Sequence, residues 1–90
     1  MMEIYTVVKY NKEYNGWQIV EQFRTFMDAK SDVLFDGVIY VRVNNKLYAK
    51  ADFPKHLMGQ WSKIINTKDL NKIYITKKGE YFKIKKSNLF

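Results

Sequence analysis

The stretch KIYITKKGEYFKIK, residues 72–85, decides how this chain folds. Apolar and polar residues alternate on both sides of Lys78-Gly79, and a period of two marks a half-buried strand. A glycine between two such runs supplies the turn. The stretch reads as a β-hairpin with strands over residues 72–77 and 80–85. With the turn at Lys78-Gly79, Ile73 and Ile75 share a face with Phe82 and Ile84. The opposite face then carries Lys72, Tyr74, Thr76, Tyr81, Lys83 and Lys85, because alternate strand side chains point to opposite sides.

The same pattern occurs twice upstream. Residues 4–10 and 17–23 alternate around a polar run that ends in Asn15-Gly16. Residues 38–44 and 46–51 alternate around Asn44-Asn45, a pair that accepts positive φ. In the first strand Ile4, Thr6 and Val8 share one face and Tyr5, Val7 and Lys9 the other. In the second hairpin Ile39, Val41 and Val43 are expected with Leu47, Ala49 and Ala51. Tyr40, Arg42, Tyr48 and Lys50 are expected opposite them. Ile4-Tyr5, Ile39-Tyr40 and Ile73-Tyr74 open the three hairpins at spacings of 35 and 34 residues. That echo fits either an internal repeat or the plain strand preference of Ile and Tyr.

Helical spacing fills the gaps. Over residues 25–35, Phe26, Ala29, Val33 and Leu34 fall on one face. Thr25 caps this helix, Asp28 suits its positive end, and Gly37 stops it. Over residues 54–65, Pro54 suits the first turn, and Leu57, Trp61, Ile64 and Ile65 form the apolar stripe. The fold class is therefore α+β: an antiparallel sheet of three hairpins with two helices, in the order ββαββαββ. The expected core is Ile4, Val8, Trp17, Ile19, Phe26, Val33, Leu34, Ile39, Val41, Leu57, Trp61, Ile64, Ile73, Ile75, Phe82 and Ile84.

Ninety residues suit a single domain, and the 47% hydrophobic and 17% aromatic content suits a folded one. There is no cysteine, which removes disulfides, thiolate chemistry and Cys-based zinc sites. No apolar run is long enough for a membrane span, and the N-terminus does not read as a secretory signal. A cytoplasmic location is expected. Lysine outnumbers arginine 14 to 2, and Asn, Ile and Tyr are also plentiful. These are residues of AT-rich codons, as in some bacteria and their phages.

The net charge of +7 is one-sided. Residues 1–52 carry seven basic and seven acidic side chains. Residues 53–90 carry nine lysines against Asp69 and Glu80. Such asymmetry points to an anionic partner. Chemistry for turnover is sparse. His56 is the lone histidine, the four glycines are isolated, and Asp28, Asp32 and Asp36 read as a solvated helix side. No catalytic residue, metal or cofactor is expected, although a metal-independent nuclease built from Tyr, Lys and Arg is compatible with the residue census.

Tyrosines alternating with lysines match what single-strand binding requires, because rings stack on bases while ammonium groups neutralise phosphates. The expected contact set is Arg42, Lys50, Lys72, Tyr74, Lys77, Lys78, Tyr81, Lys83, Lys85 and Lys86. The leading expectation is a non-catalytic protein that binds nucleic acid, RNA above all. The alternative is a protein-directed inhibitor or antitoxin-like regulator, encoded by a phage or bacterium, that takes an acidic protein partner, with RNA bridging the two. A third reading is a homo-oligomer paired along the edge of residues 73–77.

Overall fold

The computed structural model describes residues 2–68 and 71–89. Strand β1 (Met2–Asn11) turns into β2 (Gly16–Phe23), and helix α1 (Phe26–Phe35) follows. The second hairpin is β3 (Val38–Val43) and β4 (Lys46–Ala49). Short 3₁₀ turns at Lys50–Asp52 and Lys55–Leu57 lead into helix α2 (Met58–Asn66). The chain ends with β5 (Lys72–Thr76) and β6 (Tyr81–Leu89). This is the expected ββαββαββ order. The second helix starts later than expected because Pro54 to Leu57 form a 3₁₀ turn rather than α-helix.

All six strands form one antiparallel sheet in the order β2-β1-β6-β5-β3-β4. The last hairpin to be made is thus the middle of the sheet. It joins the first hairpin through β6 and the second through β5. Strand β5 is an inner strand, so the two-fold pairing expected along residues 73–77 has no edge there to use.

Local signals account for the ends of α1. The Thr25 hydroxyl accepts a hydrogen bond from the Asp28 N–H at 3.1 Å, which satisfies an otherwise orphaned donor of the first turn. Gly37, at φ +79°, donates its N–H to the Leu34 carbonyl at 3.1 Å and ends the helix. At the second hairpin Asn44 adopts φ +56°.

Both helices pack on one side of the sheet. The core there is Tyr5, Val7, Ala29, Val33, Val38, Val41, Trp61, Ile65, Tyr74, Phe82 and Ile84. Phe53 lies against Trp61 with ring centroids 5.6 Å apart, closing one end. The two helices meet where the Lys30 ammonium donates to Asn66 Oδ1 at 2.5 Å.

The expected face assignments need three corrections, two in the pairing of hairpin strands and one in which face of the first strand meets the helices. In the third hairpin the loop has three residues, Lys77-Lys78-Gly79. Thr76 donates its N–H to the Glu80 carbonyl at 2.9 Å, and Gly79 adopts φ +78°. A two-residue turn would set Ile75 opposite Phe82. The longer loop sets Tyr74 opposite Phe82 and Ile75 opposite Tyr81. A shift of one residue exchanges the faces of a strand. Lys72, Tyr74 and Thr76 are therefore buried under the helices, while Ile73 and Ile75 turn to the other side.

In the second hairpin Val43 faces Lys46, Arg42 faces Leu47 and Val41 faces Tyr48. Tyr40 and Arg42 thus share their face with Leu47 and Ala49, and Tyr48 joins the helix side with Val41. In the first strand the helix side is Tyr5 and Val7, not Ile4 and Val8. Ile19, expected in the core, is 68% exposed on edge strand β2. The Ile-Tyr pairs also lose their equivalence: Tyr5 and Tyr74 are buried, whereas Tyr40 is exposed. Strand preference accounts for the pairs without a repeat.

The register makes a direct prediction about stability. Tyr74→Ala should cost about 3 kcal/mol or more, the scale of a large buried aromatic cut to alanine. Ile75→Ala should cost less than half as much. Urea unfolding of both variants checks this, and the reverse ranking would restore the two-residue turn.

Candidate binding face on the open side of the sheet

Among the described residues, no helix lies over the side of the sheet away from the helix-packed core. Register defines what stands there. Tyr10 lies opposite Trp17, and Val8 lies between Ile19 on one side and Lys83 on the other. Thr6 lies between Gln22 and Lys85. Ile75 lies between Tyr81 and Tyr40, and Ile73 lies beside Arg42, which is followed by Leu47. Nine of these fourteen side chains are apolar or aromatic. Thr6 and Val8 are nevertheless buried there, because long neighbouring side chains cover them.

The charges are sorted by side. Glu3, Glu21 and Glu80 are the strand and strand-end carboxylates, and all three belong to the helix side through their pairing with Asn88, Val7 and Thr76. Two of them meet cations of the same side. Lys9 Nζ lies 2.5 Å from Glu80 Oε2, and Lys86 Nζ lies 2.9 Å from Glu3 Oε1. The open side carries Arg42, Lys83 and Lys85. Among the described residues no carboxylate pairs with any of the three.

The aromatic groups on the open side are organised. Trp17 and Tyr10 meet edge to face, with ring centroids 5.4 Å apart. The Lys83 ammonium sits 4.6 Å from the Trp17 ring centroid, a cation–π contact. Tyr10, Trp17, Tyr81 and Lys12 line a hollow of about 350 Å³. Tyr81 and Tyr40 are 41% and 37% exposed, so each keeps a ring surface for a ligand. At one end of the sheet, Tyr40, Lys50 and Lys77 line a second hollow of about 460 Å³.

The expected contact residues therefore divide. Arg42, Tyr81, Lys83 and Lys85 come together on the open side. Lys50, Lys77 and Lys78 are exposed at its margin, on the 3₁₀ turn and the hairpin loop. Lys86 is on the helix side, held by Glu3. Tyr74 is core, at 1% exposure. Lys72 is buried at 2%, and its ammonium donates to the Ile65 carbonyl at 3.2 Å and to the Thr67 carbonyl. These carbonyls lie at the C-terminal end of α2, where a cation also complements the helix dipole. Lys72 is a helix cap and cannot reach a ligand on the open face.

Tyr10, Trp17 and Tyr40 were not among the expected contacts. Trp17, expected in the core, stands half-buried on the open face. One signal for the register was present: glycine as the last residue of a three-residue loop is a common hairpin closure.

The two ion pairs make stability depend on acid. Glu80 is held below the usual glutamate range chiefly by its hydrogen bond from Lys9, and Glu3 chiefly by its hydrogen bond from Lys86. A depressed folded-state value stabilises the fold above the unfolded value and is lost as pH falls through the folded one. The urea midpoint should therefore fall as pH drops below the ordinary glutamate range, and Glu3→Gln with Glu80→Gln should flatten that decline. Identical pH profiles for wild type and variant would show that the pairs contribute nothing. No family model matches this chain, and comparison with curated proteins and with solved structures finds no match, so the chemistry of the open face stands on these residues alone.

Proposed function

We propose that this chain is a non-catalytic binding protein that takes single-stranded nucleic acid, RNA above all, across the open face of its sheet. One observation carries the reading. Arg42, Lys83 and Lys85 share that face with Tyr10, Trp17, Tyr40 and Tyr81, while the strand carboxylates lie on the other side. A single strand offers bases to stack and phosphates to neutralise, and each stacked base contributes about 1–3 kcal/mol. A duplex hides its bases and gives exposed tyrosines nothing to stack on. Arg42 is the arginine that the paired strands put on this face, and with so few arginines binding is led by the phosphate backbone and selects sequence weakly.

The protein-directed reading draws on Leu47 and Ile19, which are 48% and 68% exposed on the same face. An inhibitor or antitoxin-like regulator would use them against an apolar, acidic partner surface. A partner recovered from lysate that survives nuclease treatment favours that reading, and one that disappears favours nucleic acid.

Fluorescence anisotropy with labelled single-stranded RNA tests the proposal. Three phosphate contacts at about −0.7 each give an expected log–log salt slope near −2. Lys83→Glu with Lys85→Glu should abolish binding and leave the far-UV circular dichroism unchanged. Trp17 is half-buried on the open face and Trp61 is in the core. Stacking should therefore quench Trp17 emission, and Trp17→Phe should remove the quenching signal. Binding by the double variant equal to wild type would sink the proposal, as would no binding at low salt.

A further inference from the structure

The middle of the sheet is not closed along its length. Strands β5 and β6 are in register only at Tyr74–Phe82 and Ile75–Tyr81. Beyond Phe82, β6 follows β1 as far as Leu89, and β5 follows β3 back to Lys72. The two strands splay, and a wedge-shaped cleft of about 730 Å³ opens between them. That volume is in the range of small-ligand sites.

One wall of the cleft is the four-residue run from Lys83 to Lys86. Consecutive strand residues point to opposite faces, so all four can line one cleft only if it runs along the strand edge. The bond from the Thr76 N–H to the Glu80 carbonyl sets the phase of the ladder. The alternation of an antiparallel pair then turns the N–H groups of Ile84 and Lys86 toward the cleft. The other wall is Ile73 of β5, the Asn44-Asn45 turn and Asn71, the turn being tied to Asn71 by the Asn44 N–H donating to the Asn71 carbonyl at 3.3 Å. Among the described residues no carboxylate lines the cleft. Glu3 offsets Lys86 and the Lys83 ammonium lies over the Trp17 ring, so Lys85 is the lysine left to serve the cleft. A phosphomonoester at neutral pH carries close to two negative charges and three acceptor oxygens.

We propose that this wedge seats the terminal phosphate of a bound strand. The inference rests on the nucleic-acid reading above. Lys83 and Lys85 belong to both surfaces, so a strand lying on the open face runs directly into the cleft. The edge N–H groups and the Lys85 ammonium bind the phosphate, and the Asn44 and Asn45 amides donate from the opposite wall. The Tyr74–Phe82 pair closes the narrow end, which suits a chain terminus better than a continuing backbone.

The test compares oligonucleotides of one sequence with a 5′-phosphate, a 3′-phosphate or hydroxyl ends. At least one phosphorylated form should bind about tenfold more tightly at pH 7.5, as one or two charge-assisted hydrogen bonds would give. The preference should shrink toward pH 5, as the phosphomonoester gains its proton near pH ~6. Asn45→Asp places a carboxylate on the far wall, outside the open face. It should erase the preference and leave the affinity for hydroxyl-ended strands within about twofold, as expected for an exposed substitution. Equal affinity for all three oligonucleotides overturns the inference and leaves the nucleic-acid reading intact. If no oligonucleotide binds, that reading fails, and amide chemical shifts under titration with inorganic pyrophosphate decide the cleft alone. Shifts confined to Ile84, Lys86 and the Asn44-Asn45 turn keep it as an anion seat, and unchanged spectra overturn it.

Discussion

The register between Tyr74 and Phe82 is the constraint on which the other features depend. It is set by the three-residue loop Lys77-Lys78-Gly79, in which Gly79 takes the positive φ that closes such a loop. Because β5 and β6 form the middle of the sheet, their register passes outward. Phe82 and Ile84 face the helices together with Val7 of β1. Tyr74 faces them together with Val41 of β3. A slip of one residue between β5 and β6 would set the two halves of the sheet against each other, with one core face up and the other down.

The same register explains a buried lysine. Burying an ammonium is costly unless it is hydrogen-bonded. Lys72 meets that condition because β5 begins where α2 ends, and the carbonyls of Ile65 and Thr67 are within its reach. The helix end gains donors for carbonyls that have no partner within the helix. A lysine that looks like surface in the sequence is thus part of the link between the second helix and the sheet.

Segregation of charge follows from the fold rather than from composition. The net charge of +7 says only that cations are in excess. The strand register places Glu3, Glu21 and Glu80 on the helix side, where lysines pair with two of them. Arg42, Lys83 and Lys85 are left on a face rich in rings. An anion approaching from the open side therefore meets uncompensated charge over a stackable surface, and the splay of β5 from β6 extends that charge to a strand edge.

Much of this was legible in the residues. Period-two alternation located all three hairpins, period-3.6 spacing located α1, and Thr25, Gly37 and Asn44 marked their caps and turn, because each depends on neighbours only a few positions away. The charge asymmetry was likewise a matter of counting. Which face of each strand meets the helices was not legible. On β5 both faces are acceptable to a period-two reading, since Ile73 and Ile75 are as apolar as Tyr74 is large. The choice rests on one residue of loop length and on partners far along the chain: Phe82 beside Tyr74, Val41 on its other side, and the end of α2 above Lys72. Tertiary structure therefore decided that Lys72 and Tyr74 belong to the interior and that Trp17 and Tyr40 join Lys83 outside. The reason is physical: alternation fixes that a strand has two faces, but only pairing and packing against distant elements fix which face is buried.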